Sequence, residues 1–220
     1  MDGSAEVKTR RTAPKEVRRQ QLIDATISAI AEKGISGTTM AEVTGRAGLS
    51  LGIVSLHFEN KDNLLKSPLK HLAQELRDKW GLVQDNPDLG PAEKLWGILE
   101  ANFHPDICTF DKVRVWFAFF GEAQYRAFYR EMVDEFDTER AVAIETLLKE
   151  LADADGRSDF DAFGTTQTIE SLADGLWLGM MLYPEWMPLD DAKARLWALL
   201  SDHFPTRFAP GALPKMASAQ

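Results

Sequence analysis

From residue 17 onward the apolar residues of this chain recur at spacings of three and four, and strict alternation is almost absent. Such a chain buries its apolar side chains on one face of each of several helices, so an all-α fold of about nine helices is expected. The clearest stripe is Leu65, Leu69, Leu72 and Leu76, whose members stand three or four residues apart. Pro68 interrupts that helix, lacks the N–H owed to Leu64 and predicts a kink. Upstream, Pro14 suits a first helical position, and Ile23, Ile27, Ile30 and Ala31 mark a face that ends at Gly34. A second helix, MAEVTGRA, is capped by Thr38 or Thr39, with Glu42 at capping-box distance, and is closed by Gly48. A third, short helix starts at Ser50 as N-cap and runs to His57, and Asn60 caps a fourth. Downstream, Pro91 opens a helix with Leu95, Leu99 and Phe103 facing inward. Residues 112–128 read as one helix apolar nearly all round, followed by a long amphipathic helix that stops at Asp155 and Gly156. Two last helices span 160–182 and 189–203.

The chain has 220 residues and a formal charge of −9, but that charge is unevenly spread. Residues 1–66 hold 10 basic and 8 acidic side chains, against 15 and 26 in residues 67–220. Lys8, Arg10, Arg11, Lys15, Arg18 and Arg19 face the single acid Glu16 over residues 8–19, as in an arm that neutralises phosphates. This suggests a basic arm at 1–13, a small domain at 14–60, a larger one at 61–205, and a disordered Ala-, Pro- and Gly-rich tail at 206–220. The lone cysteine, Cys108, excludes a disulfide framework and a Cys-rich zinc site. His57, His71, His104 and His203 show no metal-ligand spacing, and DADGRSDFD puts Ser158 where a calcium loop needs glycine. With no GxGxxG, P-loop or GxSxG, neither a cofactor, a metal nor an enzyme activity is expected. No apolar run is long enough for a signal peptide or a membrane span, which points to the cytoplasm.

The informative segment is TTMAEVTGRAGLSLGIVSLHFENKDNLL, two short helices joined through Ala47, Gly48 and Leu49. In a helix-turn-helix the second helix enters the major groove, which here places Ser50, Leu51, Gly52 and Ser55 over base edges. With Gly34, Thr38, Thr39, Ala47, Gly48, Gly52, His57, Phe58, Lys61 and Leu64 in place, the run from Arg18 to Leu65 resembles the DNA-binding domain of the TetR family of bacterial repressors. That resemblance implies phosphate contacts from Thr39, His57 and Lys61. His57 stands where a tyrosine is usual, and Leu56, where a histidine is common, is expected to pack inward. Leu51 is suited to a thymine methyl.

The segments ILEANF, VWFAFFGEA and DGLWLG are similar to the choline-responsive BetI-like branch of that family. The resemblance implies a ligand-binding and dimerisation domain, a palindromic double-stranded operator bound by a homodimer, and release by a small effector such as choline. A quaternary ammonium is held by aromatic faces backed by carboxylates. Trp116, Phe119, Phe120 and Trp177, with Glu122 or Asp174, are the candidates for such a cage, and Arg114 or Arg140 for a partner to Asp174. Helix 160–182 carries two apolar faces, so Ile169, Leu172 and Leu176 with Leu196, Trp197 and Leu200 on the last helix are expected to form the dimer interface. The residues leave open a regulator answering an aromatic compound or acyl thioester, and a helical enzyme or carrier without a DNA role.

Overall fold

A computed structural model describes residues 14–211 of the chain, without the side chains of residues 123 and 133–135. Lys8, Arg10 and Arg11 of the expected arm, and the expected tail beyond residue 211, lie outside the described residues. Nine α-helices are present among those described: α1 Lys15–Gly37, α2 Met40–Ala47, α3 Gly52–Phe58, α4 Lys61–Gln84, α5 Pro91–Ala101, α6 Phe110–Gly121, α7 Arg126–Ala154, α8 Ala162–Leu182 and α9 Leu189–His203.

The first three helices form a small bundle around Leu22, Ile23, Ile30, Val43, Val54 and Phe58, all buried. The helical backbone of α1 breaks at Gly34, whose φ of 73° only glycine adopts without strain, and one more turn follows. Thr39 caps α2 by accepting the Glu42 N–H at 3.2 Å. Glu42 does not complete a capping box, because its carboxylate is held by Lys33 at 2.7 Å and Arg46 at 2.9 Å. Gly48, with φ 64°, turns the chain out of α2. Ser50 does not cap α3 with its side chain: Leu51 occupies the N-cap position, and Ser50 contributes only its carbonyl, which accepts the Ile53 N–H at 3.1 Å.

Across Pro68, α4 runs on as one helix from Lys61 to Gln84. The physical reason lies one residue earlier. Buried Ser67 donates its hydroxyl to the Leu64 carbonyl at 2.8 Å, replacing the hydrogen bond that Pro68 cannot make. The helix expected over 112–128 ends instead at Gly121, because Glu122 is extended (φ −88°, ψ 105°). A single 3-10 turn, Ala123–Tyr125, follows, and Phe128 belongs to α7.

The larger domain packs α4 and α5 against α7 and α8, with α9 closing one end. Phe204 and Phe208 are buried there; the Trp197 indole donates to the Ala209 carbonyl at 2.8 Å and Ser201 to the Phe208 carbonyl at 2.6 Å. The chain from residue 206 to residue 211 is therefore packed against α9, which corrects the expectation of a disordered tail starting at 206.

Candidate functional site

Val54 and Phe58 pin α3 into the small bundle, and this turns Leu51, Gly52, Ser55 and Leu56 outward together. Thr39 and Lys61 are exposed at either end of the same unit, and so is Ser50. Leu56, expected to pack inward, is exposed: Val54 and Phe58 already fill the inward positions of this seven-residue helix. His57 is half-buried, and its Nδ1 has no hydrogen-bond partner among the described residues. Burial, then the nearby charge of Lys15 and Arg19, lowers its pKa. Arg46 is committed to Glu32, Glu42 and Ser28, which fastens α2 to α1.

The larger domain encloses a cavity of about 190 Å³ between α4, α6, α7 and α8. Trp116 and Phe120 of α6, Tyr129 of α7 and Trp177 of α8 wall it. Trp116 lies 6.2 Å from Trp177 and 6.4 Å from Tyr129, centroid to centroid, and Phe120 lies 4.5 Å from Tyr129. Asp137, Glu170 and Asp174 line the same space with a single guanidinium, that of Arg140. Arg140 is buried; it donates to Asn102 Oδ1 at 2.6 Å and pairs with Glu170. Burial works against its charge, but Glu170, Asp137 and Asp174 outweigh that and hold its pKa above the ordinary arginine value. Asp174 stands exposed at the rim, yet the protein packed around its carboxylate raises its pKa against the pull of Arg140. Of the two partners expected for Asp174, Arg140 is the one at hand, whereas Arg114 donates to the Ala31 carbonyl of α1 at 3.2 Å.

Trp116, Phe120, Asp174 and Trp177 are thus brought together as expected; Phe119 and Glu122 are not. Phe119 points into the core beside Tyr125 and Phe128, on a different side of α6 from Trp116 and Phe120. Glu122 sits beyond the end of α6, accepting from Ser36 at 3.4 Å and Gln124 at 3.3 Å. Sequence reading missed Tyr129, Asp137 and Glu170, and also Asn102. This residue is buried at the end of α5, where its side chain holds Arg140 and its carbonyl accepts the Trp177 indole N–H at 3.0 Å.

Residues 22–67 match the bacterial regulatory proteins of the tetR family, and residues 91–205 match the C-terminal domain of BetI-type transcriptional repressors. The chain belongs to the TetR family, with a BetI-type C-terminal domain. It is 34% identical over 199 residues to the HTH-type transcriptional regulator BetI of Burkholderia mallei (strain NCTC 10229), covering 89% of this chain and 96% of the relative. It is 35% identical over 167 residues to BetI of Burkholderia ambifaria (strain MC40-6), covering 74% and 82%. A putative transcriptional regulator from Pseudomonas aeruginosa PAO1 superposes with a TM-score of 0.75 at 24% identity, covering 93% of this chain and all of that one. FadR from Bacillus subtilis in complex with stearoyl-CoA does so with a TM-score of 0.65 at 18% identity, covering 88% and 99%. The protein is a TetR-type DNA-binding transcriptional repressor, and its curated relatives are regulators. None of the helices among its described residues is long and apolar enough to cross a membrane.

In this TetR-family repressor the residues expected at the dimer interface lie mostly elsewhere. Ile169, Leu176, Leu196, Trp197 and Leu200 are buried within the protomer and Leu172 is half-buried, so they are core rather than surface. All six belong to or pack against the protomer's hydrophobic core, where Trp197 meets Trp96 of α5 and Phe208 edge to face at 5.0 and 5.2 Å, because two helices at the edge of the domain need a full apolar face to dock. The outward stripe of α8 is instead Phe163, Gln167, Ser171, Asp174, Leu178 and Leu182, and that of α9 is Asp191, Ala194, Arg195, Ala198 and Asp202.

Proposed function

We propose that this repressor binds a palindromic operator as a homodimer and is released by a small organic cation of the quaternary ammonium type, choline foremost. The observation that carries the effector reading is a cavity with aromatic walls in which three carboxylates face one guanidinium. A permanent cation cannot be hydrogen-bonded; aromatic faces attract it by about 0.5 to 2 kcal/mol each, and excess carboxylate balances its charge. At about 190 Å³ the space lies below the roughly 300–1,000 Å³ of drug-sized pockets, which favours a small metabolite over an acyl thioester. The exposed stripes of α8 and α9, with small residues at Ala194 and Ala198 and apolar ones at Phe163, Leu178 and Leu182, suit a twofold contact.

The route from effector to DNA runs through α6. One side of α6 walls the cavity with Trp116 and Phe120, and Arg114 bonds α1, while Ser36 of α1 meets Glu122 just past the end of α6. A cation that reorders the Trp116 side shifts the seat of α1, and with it the spacing of the two recognition helices. A coupling of about 1–3 kcal/mol is typical of such linkage.

Thermal unfolding with millimolar choline, betaine aldehyde, glycine betaine or carnitine tests the effector. A ligand at about 100 times its Kd adds about 2.7 kcal/mol and raises Tm by several degrees. Choline is expected to give this shift in wild type and to lose most of it in Asp174→Asn. The shift should also shrink as pH falls through the raised pKa of Asp174, at a higher pH than an ordinary carboxylate would impose. An equal shift in Asp174→Asn, or none with any of the four compounds, would refute the assignment.

A further inference from the structure

The outward face of α3 lacks the side chains that most often read bases. Residues Gly52–Phe58 contain no Arg, Lys, Asn or Gln, so the paired hydrogen bonds that identify guanine or adenine are not available from this helix. Arg46, the nearest arginine on α2, is held by Glu32 and Glu42, and His57 turns its Nδ1 inward. What the face does present is hydrocarbon. Leu51 is 52% exposed and Leu56 is 65% exposed, on either side of Gly52 and Ser55. A Cβ built at Gly52 would meet nothing within 4 Å, so the ground between the two leucines is open. Ser55 supplies one short hydroxyl, which can donate or accept and therefore discriminates weakly.

Large exposed apolar side chains on the one surface that must meet DNA call for an apolar partner there. In the major groove the only such feature on a base edge is the C5-methyl of thymine. We infer that Leu51 and Leu56 are specificity-determining residues that read thymine methyl groups, so that each operator half-site carries A·T pairs under them. Each methyl removed from water against a leucine contributes about a fourfold gain in affinity. A dimer that reads one such methyl in each half-site gains about 15-fold. This inference rests on the reading of α3 as the recognition helix.

The test uses the full chain and selection of bound duplexes from a randomised pool. A selected duplex is then remade with uracil in place of thymine, singly and at symmetry-related positions; uracil pairs like thymine but lacks the methyl. At one position per half-site the symmetric exchange is expected to weaken wild-type binding about 15-fold. Leu56→Ala or Leu51→Ala should bind the thymine duplex as weakly as wild type binds its uracil counterpart, and be indifferent to the exchange. Both leucines are exposed, so an unchanged Tm in each variant separates recognition from folding. Enriched duplexes with no thymine requirement, or a uracil effect that survives both leucine replacements, would overturn the leucine assignment alone. Enrichment of no duplex would overturn it together with the recognition-helix reading.

Discussion

Arg140→Ala is expected to destabilise the protein by about 3–5 kcal/mol, the usual result of removing one partner from a buried charged pair. For a chain of this size that lowers Tm by roughly 6–20 °C. Glu170 would lose its counter-charge beside Asp137 and Asp174, and Asn102 Oδ1 the guanidinium donor it accepts from. The loss extends to function, because Asn102 also holds the Trp177 indole and so sets one wall of the cavity. Glu170→Gln added to Arg140→Met should recover part of the stability, since it removes the stranded charge and refills much of the volume. Differential scanning calorimetry of the single and double variants checks this. A single variant within 1 kcal/mol of wild type would show that the Arg140 cluster does not hold α5, α7 and α8 together.

Operator binding should be strongly salt-dependent even though the chain carries a formal charge of −9, because the acidic excess lies in residues 67–220, whereas residues 1–66 carry 10 basic against 8 acidic side chains. With about 6–10 phosphates neutralised per dimer, affinity falls by about 10³–10⁵ between 50 and 200 mM salt. Lys61→Ala, which removes one exposed cation per protomer, should lower the slope of log K against log salt by about 2 for the dimer and weaken all duplexes alike. Fluorescence anisotropy over a salt series measures it. A flat series would mean that phosphate neutralisation does not drive association.

The sequence made the helical architecture legible because apolar spacing and capping residues act locally. Thr39, Gly48 and Asn60 cap or close their helices where their chemistry requires it. Errors arose where a distant partner decided the outcome. Phe119 and Phe120 are adjacent in the same aromatic run, and only the rotation of α6 between α1 and α8 sends one to the core and the other to the cavity. The apolar positions of α8 and α9 exceeded what one face needs, yet Ile169, Leu176, Leu196 and Leu200 were taken up by the protomer's own core. Tyr129, Asp137 and Glu170 gave no local sign of their role. The one signal that was available was the charge at Arg140 within an otherwise apolar stripe of α7, which required a buried acid somewhere.

Operator occupancy titrated with choline, in wild type and in Asp174→Asn, tests the central claim most directly. A selected duplex held near half-saturation should be released by choline in wild type, with apparent affinity falling about 5- to 150-fold at saturating ligand. Asp174→Asn should bind the same duplex normally and require far more choline to let go. Occupancy that choline leaves unchanged in wild type, under conditions where the protein is folded and binds the duplex, would contradict the assignment of the cavity as the effector site for a quaternary ammonium.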